Sequence, residues 1–100
     1  MSLDVYYFTE MPYHYIDDEL AEQWPSLRLT FPNSYFDPNK ATDLFTRYLD
    51  EFQYAEEVGF QGLMINEHHN NPLCMMPSVN VIGSVLARTT KKGKIAFLGN

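Results

Sequence analysis

Glu67-His68-His69 is the stretch of this sequence best equipped for chemistry. Two imidazoles beside a carboxylate exchange protons readily near neutral pH, and an acid–base pair held in position speeds proton transfer to a bound substrate. The plainer alternative is that one ring hydrogen-bonds a backbone carbonyl while the other faces water. A metal reading would recruit Glu67, His68, His69, His14 and Cys74. Adjacent residues at a strand end point to opposite faces and do not easily chelate one ion, so no metal is expected. His14, within Met11-Pro12-Tyr13-His14-Tyr15, could line a substrate pocket with its flanking tyrosines, although a loop cluster of this kind is more often packing. Cys74-Met75-Met76 reads as gap-filling, a buried thiol beside two flexible thioethers.

These groups act together only if the fold brings them to one place. Residues 4–9, Asp-Val-Tyr-Tyr-Phe-Thr, are short, aromatic and β-branched, as in a strand covered on both faces. Residues 10–39 hold Pro12, Pro25, Pro32 and Pro38, many aromatics and the acidic run Asp17-Asp18-Glu19, with no sustained period. This long connection is of the kind that forms a lid or binding loop, or packs on its own aromatics. A helix is expected over 42–58, where Leu44, Phe45, Tyr48, Leu49, Phe52, Ala55 and Val58 recur at helical spacing. Asp37-Pro38 offers an earlier start, with a capping residue followed by the residue favoured in the first turn, and Thr42 a later one. Gly59 stops the helix. An apolar run at 60–66 gives a second strand. A second helix at 78–90 carries Val79, Ile82, Val85, Leu86 and Thr89 on one face, with Gly83 weakening it. Residues 94–99 form a third strand.

Strand, helix, strand, helix, strand implies a parallel α/β sheet with right-handed crossovers. Ligands of such sheets bind at the carboxyl ends of the strands. Thr9-Glu10-Met11, Asn66 through Asn71, and Gly99-Asn100 all fall there. Three strands and two helices leave sheet edges open, which invites association, and a homo-oligomer is expected.

Composition removes several function classes. Seven Lys+Arg against thirteen Asp+Glu leave a formal charge of −6, so binding driven by nucleic-acid phosphates is not expected. A single cysteine cannot form an intrachain disulfide, and with no basic segment ahead of an apolar stretch at the start, a cytoplasmic protein without targeting sequence or membrane span is expected. Neither a Gly-x-Gly-x-x-Gly turn after a strand nor a P-loop is present, which argues against a Rossmann dinucleotide site and a Walker-type nucleotide site.

Several motifs in order resemble those of the luciferase-like flavin-dependent monooxygenases: Pro32-Asn33-Ser34-Tyr35-Phe36-Asp37-Pro38, the helix running into Gly59-Phe60, Asn66-Glu67-His68-His69, Met76-Pro77-Ser78 and Leu98-Gly99-Asn100. The resemblance spans nearly the whole chain. It implies an α/β fold, the amino-terminal part of a (β/α)8 TIM barrel with three parallel strands and two crossover helices. The 100 residues would be one incomplete barrel segment, since a complete barrel takes about 250. It further implies reduced FMN from a separate flavin reductase, dioxygen as co-substrate and a small organic molecule as substrate. The alternative on the same scaffold is a reductase using the deazaflavin F420, and an alternative of another class is a non-catalytic fragment that self-associates. By the same resemblance His68 would be the active-site histidine assisting proton transfer at the flavin. Glu67 and His69 would orient it or shape the pocket, and the backbone at Gly99 and Asn100 would pass close to the flavin ring.

Overall fold

Three parallel strands lie side by side in chain order in the computed structural model, which describes residues 2–99. The first, β1 (Tyr6–Phe8), pairs with β2 (Gly62–Asn66), which pairs with β3 (Lys94–Leu98). Between β1 and β2 come a one-turn helix α1 (Asp18–Ala21), a 3-10 turn (Asn33–Tyr35) and the long helix α2 (Pro38–Glu57). Helix α3 (Val79–Thr89) joins β2 to β3. No helix among the described residues is long and apolar enough to cross a membrane.

Both long helices cover the same face of the sheet. The register sets Tyr7 beside Leu63, Leu63 beside Ile95 and Ile65 beside Phe97, so these side chains share one face. Tyr7 meets Phe52 of α2 edge-on at 5.5 Å, and the Phe97 ring lies against Gly83 of α3. The core fills the space between: Leu44, Tyr48, Phe52 and Ala55 from α2, Leu63 and Ile65 from β2, and Val79 and Leu86 from α3. The opposite face carries Tyr6, Phe8, Met64, Ala96 and Leu98 and has no helix over it; Phe8 is 41% and Leu98 57% exposed.

Several boundaries differ from those expected, each for a local reason. Helix α2 begins at Pro38 rather than residue 42, because Asp37 caps it: its side chain accepts a hydrogen bond from the Asn39 amide at 2.9 Å. The second strand begins at Gly62 rather than residue 60, because Phe60 belongs to the close of α2. The Gly59 amide donates to the Glu56 carbonyl and the Phe60 amide to the Ala55 carbonyl, a Schellman closure that needs the positive φ of 111° Gly59 supplies. The first strand is pared from 4–9 to Tyr6–Phe8, since Thr9 turns its hydroxyl to accept from the Met11 amide. The second helix covers Val79–Thr89 and the third strand Lys94–Leu98, each losing terminal residues of the expected 78–90 and 94–99. Gly83, read as a weakness in α3, is the only residue type that leaves room for Phe97. Residues 10–39 are not featureless. Trp24, Phe31 and Tyr35 form a chain of ring contacts, and Asp17 caps α1 by accepting from the Leu20 amide at 2.7 Å.

A candidate site at the carboxyl end of the sheet

The two loops leaving the carboxyl ends of β1 and β2 are tied to each other. The Tyr13 amide donates to the Pro72 carbonyl at 2.8 Å, and the Met75 amide to the Met11 carbonyl at 2.9 Å. Met11 and Asn70 are the non-glycine residues with positive φ among those described, at 53° and 56°, and one sits in each loop. Asparagine tolerates this conformation. A wholly buried methionine in it costs about 1 kcal/mol or more, which the surrounding bonds must offset.

These ties carry Glu10 to His68. Phe8 is level with Met64, so Glu10, two residues on, comes level with Asn66 at the end of β2. Asn66 is 4% exposed and fully used. Its Nδ2 donates to Glu10 Oε1 at 3.0 Å, and its Oδ1 accepts from Cys74 Sγ at 3.5 Å. A carboxylate can only accept, so the bond to Glu10 fixes the direction of the amide and leaves Oδ1 facing the thiol. Glu10 Oε1 then lies 3.8 Å from His68 Nε2, with both side chains about one-third exposed. The His68 amide donates to the Met76 carbonyl at 3.1 Å, holding the backbone beneath the ring. Burial pushes the Cys74 thiol up from its ordinary range, and Cys74 acts here as a neutral donor.

Glu67 and His69 have other partners. Glu67 Oε2 accepts from the Val79 amide at 2.9 Å, at the first turn of α3, where the Ser78 side chain makes no capping bond. Glu67 thus supplies the cap from a distance of twelve residues. Its Oε1 lies 3.1 Å from His69 Nε2, which is also 3.0 Å from the Pro77 carbonyl. Two acceptors facing one ring nitrogen require that nitrogen to carry the hydrogen. Glu67 and His69 therefore pin the 67–79 loop and position its backbone, while His68, between them in sequence, turns the other way. Gly99 ends β3 one residue beyond Leu98, the partner of Asn66; it is exposed, with φ 87° and open space where a Cβ would stand. Asn100 lies outside the described residues. No group of three or more His, Cys, Asp or Glu among those described could hold a metal ion.

Beside His68 opens a cleft of about 340 Å³, walled by Tyr13, Phe31, Tyr35, Phe36 and Met75 and floored by residues 68–77. That volume falls at the lower end of small-molecule sites. The flavin mononucleotide implied by the resemblance fits these residues only in part. Flat apolar surface beside His68 suits a ring system, whereas Gly99 is not among the residues that line the cleft. The phosphate finds no partner: no Lys or Arg lines the cleft, and the amino ends of α2 and α3, the usual anion sites at this end of a parallel sheet, are taken by Asp37 and Glu67. No family model, curated protein or solved structure matches the chain.

The sequence alone pointed to the triplet at 67–69 but missed Glu10 as the partner of His68. The available signal was position: Glu10 and Asn66 each close a run that reads as a strand. Their register depends on where each strand truly ends, and that is set by Thr9 and by the Schellman closure at Gly59.

Proposed function

We propose that this chain is the amino-terminal part of a (β/α)8 barrel of the luciferase-like flavin-dependent monooxygenase type, using reduced FMN and dioxygen on a small organic substrate. One observation carries the reading: at the carboxyl end of a sheet whose strands follow in chain order with both helices on one face, His68 opens onto an apolar cleft with Glu10 behind it. Strands in sequential order under helices on a single face suit a barrel wall, whereas a doubly wound sheet reverses its order. The bare face with Phe8, Met64 and Leu98 is then the barrel interior.

Reduced FMN, regenerated in the cytoplasm by a separate reductase, supplies the electrons that activate dioxygen. The chain's own residues handle the proton and the surroundings. His68 holds or releases a proton at Nε2, and Glu10 lies where its carboxylate balances the charged ring. Asn66 fixes the oxygen of Glu10 nearest that ring. The aromatic walls give the reacting groups an apolar surface on one side. Holding the phosphate falls to residues of the barrel other than these.

Flavin titration tests the reading. Flavin fluorescence should be quenched saturably by the purified chain, with riboflavin binding at least as tightly as FMN because nothing here contacts phosphate. His68→Ala should weaken both. No quenching by either flavin at millimolar concentration contradicts a flavin site.

The bare sheet face also favours a second reading, a fragment that survives by pairing with a copy of itself. Sedimentation separates the two: a monomer argues against it, and a dimer dispersed by Phe8→Ser with Leu98→Ser supports it.

A further inference from the structure

We propose that the cleft beside His68 takes an uncharged, apolar organic molecule, and that charged compounds are excluded from it by design of the walls. The inference rests on the flavin-oxygenase reading only in naming this molecule the substrate. The cleft itself is described by its side chains whatever the chemistry.

Its walls are Tyr13, Phe31, Tyr35, Phe36 and Met75, and its polar groups are His68 and the amides Asn33, Asn70 and Asn71. No aspartate, glutamate, lysine or arginine stands among the lining residues. An anion entering would give up its water with no partner but the His68 ring, which already faces the Glu10 carboxylate at 3.8 Å. The helix amino ends that could have compensated are filled by Asp37 and Glu67, each with a bond of 2.9 Å. Glu10 behind His68 adds negative potential and disfavours an anion further. A cation meets aromatic faces and the potential of Glu10, but no carboxylate lines the cleft to pair with it directly. What remains favourable is apolar contact, with hydrogen bonding from His68, an asparagine amide or a tyrosine hydroxyl.

Matched fluorescent probes test this: N-phenylnaphthylamine, its sulfonated analogue anilinonaphthalene sulfonate, and a naphthalene bearing a trimethylammonium group. The uncharged probe should bind saturably at micromolar concentration, and both charged probes should bind about tenfold more weakly or worse. Phe36→Ala and Tyr35→Ala, at half-exposed positions that tolerate truncation, should each weaken the uncharged probe severalfold. Leu98→Ser, on the bare sheet face, should leave it unchanged. Equal or tighter binding of either charged probe overturns the proposal, as does loss of binding in Leu98→Ser with retention in Phe36→Ala and Tyr35→Ala. The FMN titration runs alongside. Flavin binding lost while the neutral probe still binds defeats the oxygenase reading and leaves the cleft standing, and the converse defeats the cleft alone.

Discussion

The two ends of the sheet use carboxylates in opposite ways. At the amino end, Glu56 accepts from the Lys91 amide at 2.9 Å and the Lys92 amide at 3.1 Å, joining the end of α2 to the turn before β3. At the carboxyl end, Glu67 does the same for α3, but among the described residues Glu10 bonds no backbone amide: it faces a buried side-chain amide and an imidazole beside a cleft. A carboxylate spent on backbone donors holds structure together. One set between an amide and a titratable ring, at a solvent-reaching cleft, is available to chemistry.

The largest expected effects break this contrast at the carboxyl end. His68→Ala should lower flavin-dependent turnover by about a hundredfold or more, and Glu10→Gln by a smaller factor, with little change in thermal midpoint for either. Turnover is followed by oxygen uptake. A large fall in thermal midpoint in Glu10→Gln would make Glu10 another structural carboxylate.

Next comes the amino end. Glu56→Ala should cost about 0.5–1 kcal/mol in urea unfolding, because it removes the acceptor of two exposed backbone amides that water can then solvate, and should leave flavin and probe binding untouched. Glu67→Ala should cost about 1 kcal/mol by uncapping α3 and should also loosen the loop that carries His68.

Alkaline pH gives a smaller effect. Burial raises the Cys74 thiol above its ordinary 9.0 and the Tyr7 and Tyr48 hydroxyls above 10.0, and the bond to Glu51 raises Tyr7 further. Each group stays protonated in the folded chain at a pH where the unfolded chain has begun to lose the proton. Their stabilisation is therefore complete below those ordinary values and declines as pH climbs past them. Lys94, raised by its hydrogen bond to Asp4, acts in the same direction. Urea midpoints should hold steady through neutrality and fall above about pH 9, less steeply in Tyr7→Phe. Smallest of all, Arg47→Ala removes an exposed pair with Glu51 at 2.9 Å and should cost no more than about 0.5 kcal/mol.

Much of the architecture was legible because it follows local rules. The stripe of Leu44, Tyr48 and Phe52 announces α2, Asp37-Pro38 its start and Gly59 its end. Three parallel strands follow from their alternation with helices. The pairing of site residues was harder to read, since it turns on which way consecutive side chains point. Glu67, His68 and His69 look equivalent in sequence, yet the free amino end of α3 draws Glu67 and His69 away, and only His68 reaches the cleft. Val85, placed on the buried stripe of α3 by spacing, is 37% exposed, whereas Gly83, which the Phe97 ring lies against, is buried.

The most direct test of flavin-dependent oxygenation is to mix anaerobically reduced FMN and the chain with dissolved oxygen in a stopped-flow instrument and follow flavin absorbance. The account predicts a reoxidation trace distinct from that of free flavin, lost in His68→Ala, altered in Glu10→Gln and retained in Glu67→Gln. Traces that superimpose on free flavin for all four proteins would contradict it.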